Sequence, residues 1–83
     1  MKFKAEIAVM PHDALLDPQG KAVHSGLTNL GFHALNDVRI GKHITLTLEA
    51  TDEAAAMVQA KEACEKLLAN PIMEGFRISV HAL

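Results

Sequence analysis

Hydrophobic and polar residues alternate in three stretches of this chain. Apolar side chains occupy every second position of residues 3–9, 44–48 and 76–80, and charged, hydroxyl or small residues fill the positions between them. Period-two alternation of this kind is typical of β-strands that bury one face. Val38 and Ile40 have the same spacing over a shorter stretch. The pattern therefore predicts four strands.

A first helix is predicted between the first two strands. Asp17 is suited to cap its N-terminus, and Pro18 follows at the first helical position, where a missing N–H costs nothing. Gly31 is suited to end the helix in the left-handed conformation. The apolar positions between these signals recur at helical spacing, namely Val23, Leu27 and Leu30.

A second, longer helix is predicted from Glu53, capped by Thr51 or Asp52, to the stop signal Asn70-Pro71. Its predicted apolar face consists of Ala56, Met57, Ala60, Cys64, Leu67 and Leu68.

The predicted elements follow one another in the order β-α-β-β-α-β, with a tight turn at Gly41-Lys42. This order indicates a single α+β domain over residues 1–83, built as a two-layer sandwich. We expect a four-stranded antiparallel sheet with both helices on one face. The other face is predicted to be polar but rich in small residues, namely Lys4, Glu6, Ala8, Arg39, Thr45, Thr47, Arg77 and Ser79. Such a face suits sheet-on-sheet contact, so we expect either a homodimer or a tetramer made of two such dimers.

Composition narrows the possible functions. The formal net charge is −2, so the chain lacks the cationic character of proteins that bind nucleic acid or anionic membranes. It contains no Trp or Tyr for stacking on bases. No apolar run is long enough to span a bilayer, and the N-terminus does not resemble a signal peptide. We therefore expect a cytoplasmic protein without nucleic-acid or membrane partners.

No residues form a recognisable catalytic, cofactor-binding or metal-binding motif. The five histidines lack the spacing of known zinc motifs, and we interpret them as solvated loop or surface residues. Cys64 is the only cysteine, which excludes an internal disulfide, and its place on an apolar helix face predicts an inert core thiol. The segment around Gly41-Lys42 lacks the glycine spacing of a phosphate loop.

Three short strings at the ends of the predicted elements are more informative. They are Leu16–Gly20, Val38–Lys42 and Leu67–Pro71. Gly20 is unfavourable in a first helical turn, which suggests that another backbone passes close to it, and Gly26 suggests the same. Arg39 and Lys42 are either solvated cations or contacts to a partner protein.

Taken together and in this order, the strings resemble the PurS family, the small subunits of phosphoribosylformylglycinamidine (FGAM) synthase. The resemblance also includes Leu30-Gly31 at the first helix end and covers nearly the whole chain. It implies a non-catalytic assembly subunit that joins a glutaminase subunit to a large synthetase subunit and helps ammonia pass between them. In addition to the resemblance, we hypothesise that the start of the first helix and the predicted turn bind the partner subunits. The residues proposed for this contact are Asp17, Gln19, Gly20, Arg39, Gly41 and Lys42.

The resemblance further implies a carbon–nitrogen ligase reaction of purine biosynthesis. The complex of such a family converts formylglycinamide ribonucleotide, glutamine and ATP into FGAM, glutamate, ADP and phosphate. ATP and magnesium would belong to the large subunit, and no cofactor to this chain. An alternative with the same element order is a ligand-binding regulatory domain of the ACT type. A metallochaperone or RNA-binding module fits less well, because the cysteine pair and the stacking aromatic residues are missing.

Overall fold

The computed structural model describes residues 1–13 and 15–83. Its regular elements are three strands, two α-helices and a π-helical turn. They are β1 (Lys2–Pro11), α1 (Pro18–Asn29), β2 (Lys42–Glu49), α2 (Glu53–Ala63), the π-helical turn (Cys64–Leu68) and β3 (Glu74–Ala82). Across the described ranges, no helix has the length and apolar character that crossing a membrane requires.

The sheet has three antiparallel strands in the order β2-β1-β3, with β1 in the centre. The prediction of a fourth strand at Val38 and Ile40 is wrong, and so is the predicted tight turn at Gly41-Lys42, because Lys42 already opens β2. β2 and β3 occupy the two edges of β1. The segment before Lys42 therefore cannot pair with β1 as a further strand. Its backbone bonds to a side chain instead: the N–H of Ile40 donates to Asp17.

The core lies between α2 and one face of the sheet, as the alternation in β1 predicts. Phe3, Ala5, Ile7 and Val9 are all buried there. Alternate residues of β2 and β3 and the small residues of α2 complete two adjoining apolar clusters. Cys64 is fully buried in one of them, which confirms its predicted place in the core.

The C-terminal end of α2 differs from the predicted continuous helix. From Cys64 to Leu68 the backbone forms a π-helical turn, and Ala69 is extended. A π-turn holds an extra residue, which rotates the side chains that follow it. Leu68 consequently packs against the core, whereas Leu67 is 84% exposed, so its predicted place on the apolar face is wrong.

The chain from residue 15 to residue 41, here called the arm, extends beyond the end of the sheet. The arm contains α1, and α1 contributes no residue to either apolar cluster of the core. The expectation that both helices cover one sheet face is therefore wrong for α1. The molecule measures 50 × 27 × 14 Å and its radius of gyration is 16.2 Å. A compact domain of this length would have a radius of gyration of about 12 Å.

Candidate docking site

The base of the arm is held by the carboxylate of Asp17, which caps α1 as predicted. Its Oδ1 accepts a hydrogen bond from the N–H of Gly20 at 3.0 Å, and its Oδ2 accepts one from the N–H of Ile40 at 2.8 Å. The residue is 8% exposed. These two donors, with a smaller contribution from the Arg39 guanidinium, hold the pKa of Asp17 below its ordinary value. One charged side chain thus joins the start of the arm to its end.

Arg39 ties the arm to the end of β1. Its guanidinium donates to three backbone carbonyl oxygens, those of His12 at 2.8 Å, Leu15 at 3.2 Å and Pro11 at 3.3 Å. Its Nε is buried without a hydrogen-bond partner among residues 1–13 and 15–83. Arg39 is half-buried. Its guanidinium is engaged within its own chain, so it is not the solvated surface cation that the sequence also allowed.

Two glycines make close backbone contacts at the same place. A Cβ atom at Gly20 would overlap the carbonyl oxygen of Val38, and one at Gly41 would overlap the carbonyl oxygen of Val9. The close approach of another backbone suggested by Gly20 is therefore confirmed. The same suggestion for Gly26 is wrong for the part of the chain that the structure describes, where nothing lies within 4 Å of the position that its Cβ would occupy.

The six residues predicted to dock partners fall into two groups. Asp17, Gly20, Arg39 and Gly41 meet at the base of the arm, which we call the joint. The other two are exposed beside it. Gln19 is exposed in the first turn of α1. The side chain of Lys42 is 58% exposed, and its Nζ lies 4.0 Å from a carboxylate oxygen of Glu74. A cavity of about 350 Å³ opens beside the joint, lined by both carboxylates and cations of the arm.

The sheet face opposite α2, here called the open face, is polar as predicted. Seven of the eight predicted residues lie on it by strand register, and the exception is Arg39, which belongs to the joint. Glu6 lies at its centre, with its carboxylate oxygens 3.2 Å from Nε2 of His81 and 3.7 Å from Nε2 of His43. A shallow depression of about 400 Å³ lies over Ala8 and its neighbours.

The two histidine partners of Glu6 were not expected from the sequence. His43 precedes the apolar alternation of β2, and His81 lies almost at the end of β3. The pairing register brings both histidines to Glu6, because His43 lies opposite Ala8 and His81 lies opposite Lys4, each two residues from Glu6 along β1. The exposed side chains of both histidines agree with the prediction that they are solvated.

The fold and the joint define a class of small α+β protein with an arm. The joint holds the arm in place, and exposed polar side chains lie beside it. A family model described as PurS, phosphoribosylformylglycinamidine (FGAM) synthase, matches residues 4–82. The chain belongs to the PurS family.

Individual relatives agree with this assignment. The PurS subunit of FGAM synthase from Synechocystis sp. is 46% identical over 81 residues, which cover 98% of this chain and 81% of the relative. The structure of Bacillus subtilis PurS, 41% identical, superposes with a TM-score of 0.85 over 96% of this chain and 99% of that one. A chain in the structure of PurLQS from Thermotoga maritima, 31% identical, gives a TM-score of 0.90 over 98% and 99%.

Proposed function

We propose that this chain is the assembly subunit of an FGAM synthase, joining the glutaminase and synthetase subunits and helping to retain ammonia between them. The observation that carries the proposal is the superposition, over nearly the whole chain, on a subunit from a structure described as PurLQS. The family match favours this role over the regulatory domain of the ACT type considered from the sequence.

The architecture suits a non-catalytic, structural subunit of an enzyme complex. The joint fixes the direction of the arm through hydrogen bonds that are buried or partly buried. Retaining a small reactive intermediate requires a closed interface that excludes water more than it requires a reactive side chain. In this proposal ATP and magnesium belong to the synthetase subunit, and the complex works in the cytoplasm.

The docking surface is proposed to include Gln19 and Lys42, which are the exposed members of the six predicted residues. Asp17, Gly20, Arg39 and Gly41 serve this surface by positioning it. A charge reversal at Arg39 would break three hydrogen bonds within the chain. It would therefore disturb the fold as well as docking, and Lys42 is the sharper position for a test.

Co-purification with the synthetase and glutaminase of the same organism tests the proposal. We expect the three proteins to elute together and glutamine-dependent formation of FGAM to require this chain, while ammonia-dependent formation requires it less. Lys42→Glu is expected to weaken co-elution. Lys61→Glu, an equal charge change on the exposed side of α2, is the matched control. Unchanged glutamine-dependent turnover in the absence of this chain would contradict the proposed function.

Self-association through the open face is the second part of the proposal. Ala8 and the hydroxyl residues of β2 and β3 leave room for a second sheet, since stacked sheets pack about 10 Å apart. Ala8→Arg places a bulky charge on this face, in the shallow depression beside Glu6, and is expected to lower self-association in sedimentation velocity. Val58→Arg, at an exposed position of α2, is the control. Equal sedimentation of the Ala8→Arg variant and the parent protein would exclude this face as the contact.

A further inference from the structure

The segment between α2 and β3 displays three large apolar side chains, which we call the apolar tip. Leu67 is 84% exposed, Ile72 is 80% exposed and Met73 is 47% exposed. Within residues 1–13 and 15–83, all three lie outside the two apolar clusters of the core. Single exposed apolar residues are common, but three of them in one short segment indicate a contact surface. The segment includes the string Leu67–Pro71, which contains none of the six predicted docking residues.

The turn that carries the tip is held in shape by Asn70. Its Oδ1 accepts hydrogen bonds from the N–H of Ile72 at 2.9 Å and from that of Met73 at 3.1 Å. Its own N–H donates to Oε1 of Glu74 at 2.8 Å, and its carbonyl oxygen accepts from the N–H of Glu74 at 2.9 Å. A contact segment that is ordered before binding loses less conformational entropy when a partner arrives. The exposure of the tip is therefore a fixed feature of the turn.

The π-helical turn places Leu67 at the surface. The apolar spacing predicts this residue on the core side of a continuous helix, but the π-helical turn directs Leu68 to the core instead. Such turns are rare, and they occur frequently at functional sites. A leucine left in water forgoes the stabilisation that its burial would give. A partner that buries Leu67 would recover that stabilisation in the complex.

The tip is continuous with the proposed docking surface. The N–H of His12 donates to the carbonyl oxygen of Met73 at 2.9 Å, and Arg39 of the joint donates to the carbonyl oxygen of His12 at 2.8 Å. Glu74, which binds Asn70, also lies 4.0 Å from Nζ of Lys42. The tip, the joint and Lys42 therefore meet at one end of the sheet.

The place of the tip indicates which body covers it. Leu67 follows α2, which packs on the core side of the sheet, whereas a second copy is proposed to pack on the open face. The tip adjoins Lys42 instead, which is proposed to bind a partner subunit. Lasting interfaces are more apolar than transient ones. Of the two partners, the synthetase requires the lasting contact, because its site uses the ammonia that the interface has to retain.

We propose that the apolar tip inserts into an apolar pocket of the synthetase subunit, with Lys42 opposite a carboxylate at the rim of that pocket. This inference rests on the proposed function and adds to it the side chains that anchor the complex. Interfaces combine an apolar centre with a polar rim, and a few central side chains carry most of the binding energy. Leu67, Ile72 and Met73 form that centre here, and Asn70 holds the turn that presents them.

Methionine oxidation tests the contact on the unmodified chain. Hydrogen peroxide converts exposed methionine to its sulfoxide, and mass spectrometry locates the product. We expect oxidation of Met73 to slow several-fold when the synthetase is added. Met1, 76% exposed beside the other end of the sheet, is the control and is expected to react at an unchanged rate. Equal oxidation of Met73 with and without bound synthetase would overturn the inference.

A double variant, Leu67→Ser with Ile72→Ser, provides the second test. We expect its Kd for the synthetase alone to rise roughly tenfold or more, while its Tm and its sedimentation stay close to those of the parent protein. Val58→Ser with Leu83→Ser is the matched control, since it removes two exposed apolar side chains elsewhere and is expected to bind like the parent. A loss confined to binding of the glutaminase, or to self-association, would overturn the inference.

The two proposals fail in different ways. If the tip variant binds the synthetase as tightly as the parent protein does, the inference about the tip is wrong and the proposed function stands. If the wild-type chain binds neither the synthetase nor the glutaminase, the proposed function itself is contradicted. Asn70→Ala separates the apolar side chains from their presentation, because it keeps all three and removes the acceptor that orders the turn. We expect it to weaken synthetase binding less than the double variant does.

Discussion

The carboxylate of Asp17 accepts a hydrogen bond from the backbone N–H of Ile40, 2.8 Å away and 23 positions later in the chain. The same carboxylate caps α1 through Gly20. An ordinary N-cap affects only its own helix, but this one also closes the loop from residue 17 to residue 40, which contains α1 and most of the arm. Local helix stability and the position of the arm therefore depend on one side chain.

Removal of the Asp17 carboxylate is expected to destabilise the protein. Asp17→Ala leaves the N–H groups of Gly20 and Ile40 without their acceptor, and we expect Tm to fall by about 5 °C or more at pH 7. Asp17→Asn keeps one carbonyl oxygen as an acceptor, so its Tm is expected to lie between those of the parent protein and Asp17→Ala. Thermal unfolding followed by circular dichroism measures the Tm of the three proteins. An Asp17→Ala protein as stable as the parent would show that the joint is energetically unimportant.

The contribution of Asp17 is also expected to depend on pH. Its pKa is held below the ordinary value of 3.8, first by the N–H of Ile40 and then by that of Gly20. A lowered pKa in the folded state stabilises the protein above the unfolded-state pKa, and this stabilisation is lost as the pH falls through the folded-state pKa. The difference in Tm between the parent protein and Asp17→Asn should be largest at neutral pH and shrink at pH 3 and below. A difference that stays constant across this range would contradict the charged form as the cause.

Replacement of Arg39 is expected to loosen the base of the arm. Lysine keeps the charge, but its single ammonium cannot reach the carbonyl oxygens of Pro11, His12 and Leu15 together as the planar guanidinium does. We expect Arg39→Lys to lower Tm and to increase hydrogen exchange of residues 38–41. Arg77→Lys, at an exposed position of the open face, is the matched control and should leave both quantities near the parent values.

The parts of the fold that the sequence predicts well depend on short-range chemistry. Asp17 and Asp52 cap the two α-helices as expected, each through the N–H three residues later. Gly31 has a φ of 103°, and the N–H groups of Gly31 and Phe32 donate to Thr28 and Leu27. This pattern is the Schellman arrangement that a glycine after a helix predicts. In each case the signal and the structure it produces lie within a few residues of each other.

The parts that were predicted wrongly depend on contacts across the chain. Val38 and Ile40 have strand-like spacing, but β1 has no free edge for them, and Asp17 takes the N–H of Ile40. The placement of α1 depends on Arg39 reaching back to the end of β1. Neither contact leaves a periodic signal. The sequence analysis therefore selects the residues of the joint but interprets them as docking residues. Their contacts within the chain could not be predicted, because the contacting residues are far apart in the sequence.

The close packing at Gly20 leads to a further prediction. Gly20→Ala would improve helix propensity, but its methyl group would meet the Val38 carbonyl oxygen, which is backbone and cannot rotate away. We expect a net destabilisation of about 2 kcal/mol, typical of forcing extra volume into a packed site. Gly75→Ala is the matched control, because its Cβ would lie 3.6 Å from the His12 ring, an ordinary contact. Denaturant unfolding of both variants should show a clear loss only at Gly20.

The thiol of Cys64 is expected to react slowly in the folded protein. The residue is fully buried, and burial, with a smaller effect of the nearby Glu65 carboxylate, raises its pKa. The reactive thiolate is therefore scarce at neutral pH, and reagents reach it only when the chain opens. We expect labelling by Ellman's reagent to be slow in buffer and fast in denaturant, and to accelerate in destabilised variants such as Asp17→Ala if the core opens with the joint. Rapid labelling of the native protein at pH 7 would show that Cys64 is accessible, and would contradict its place in the core.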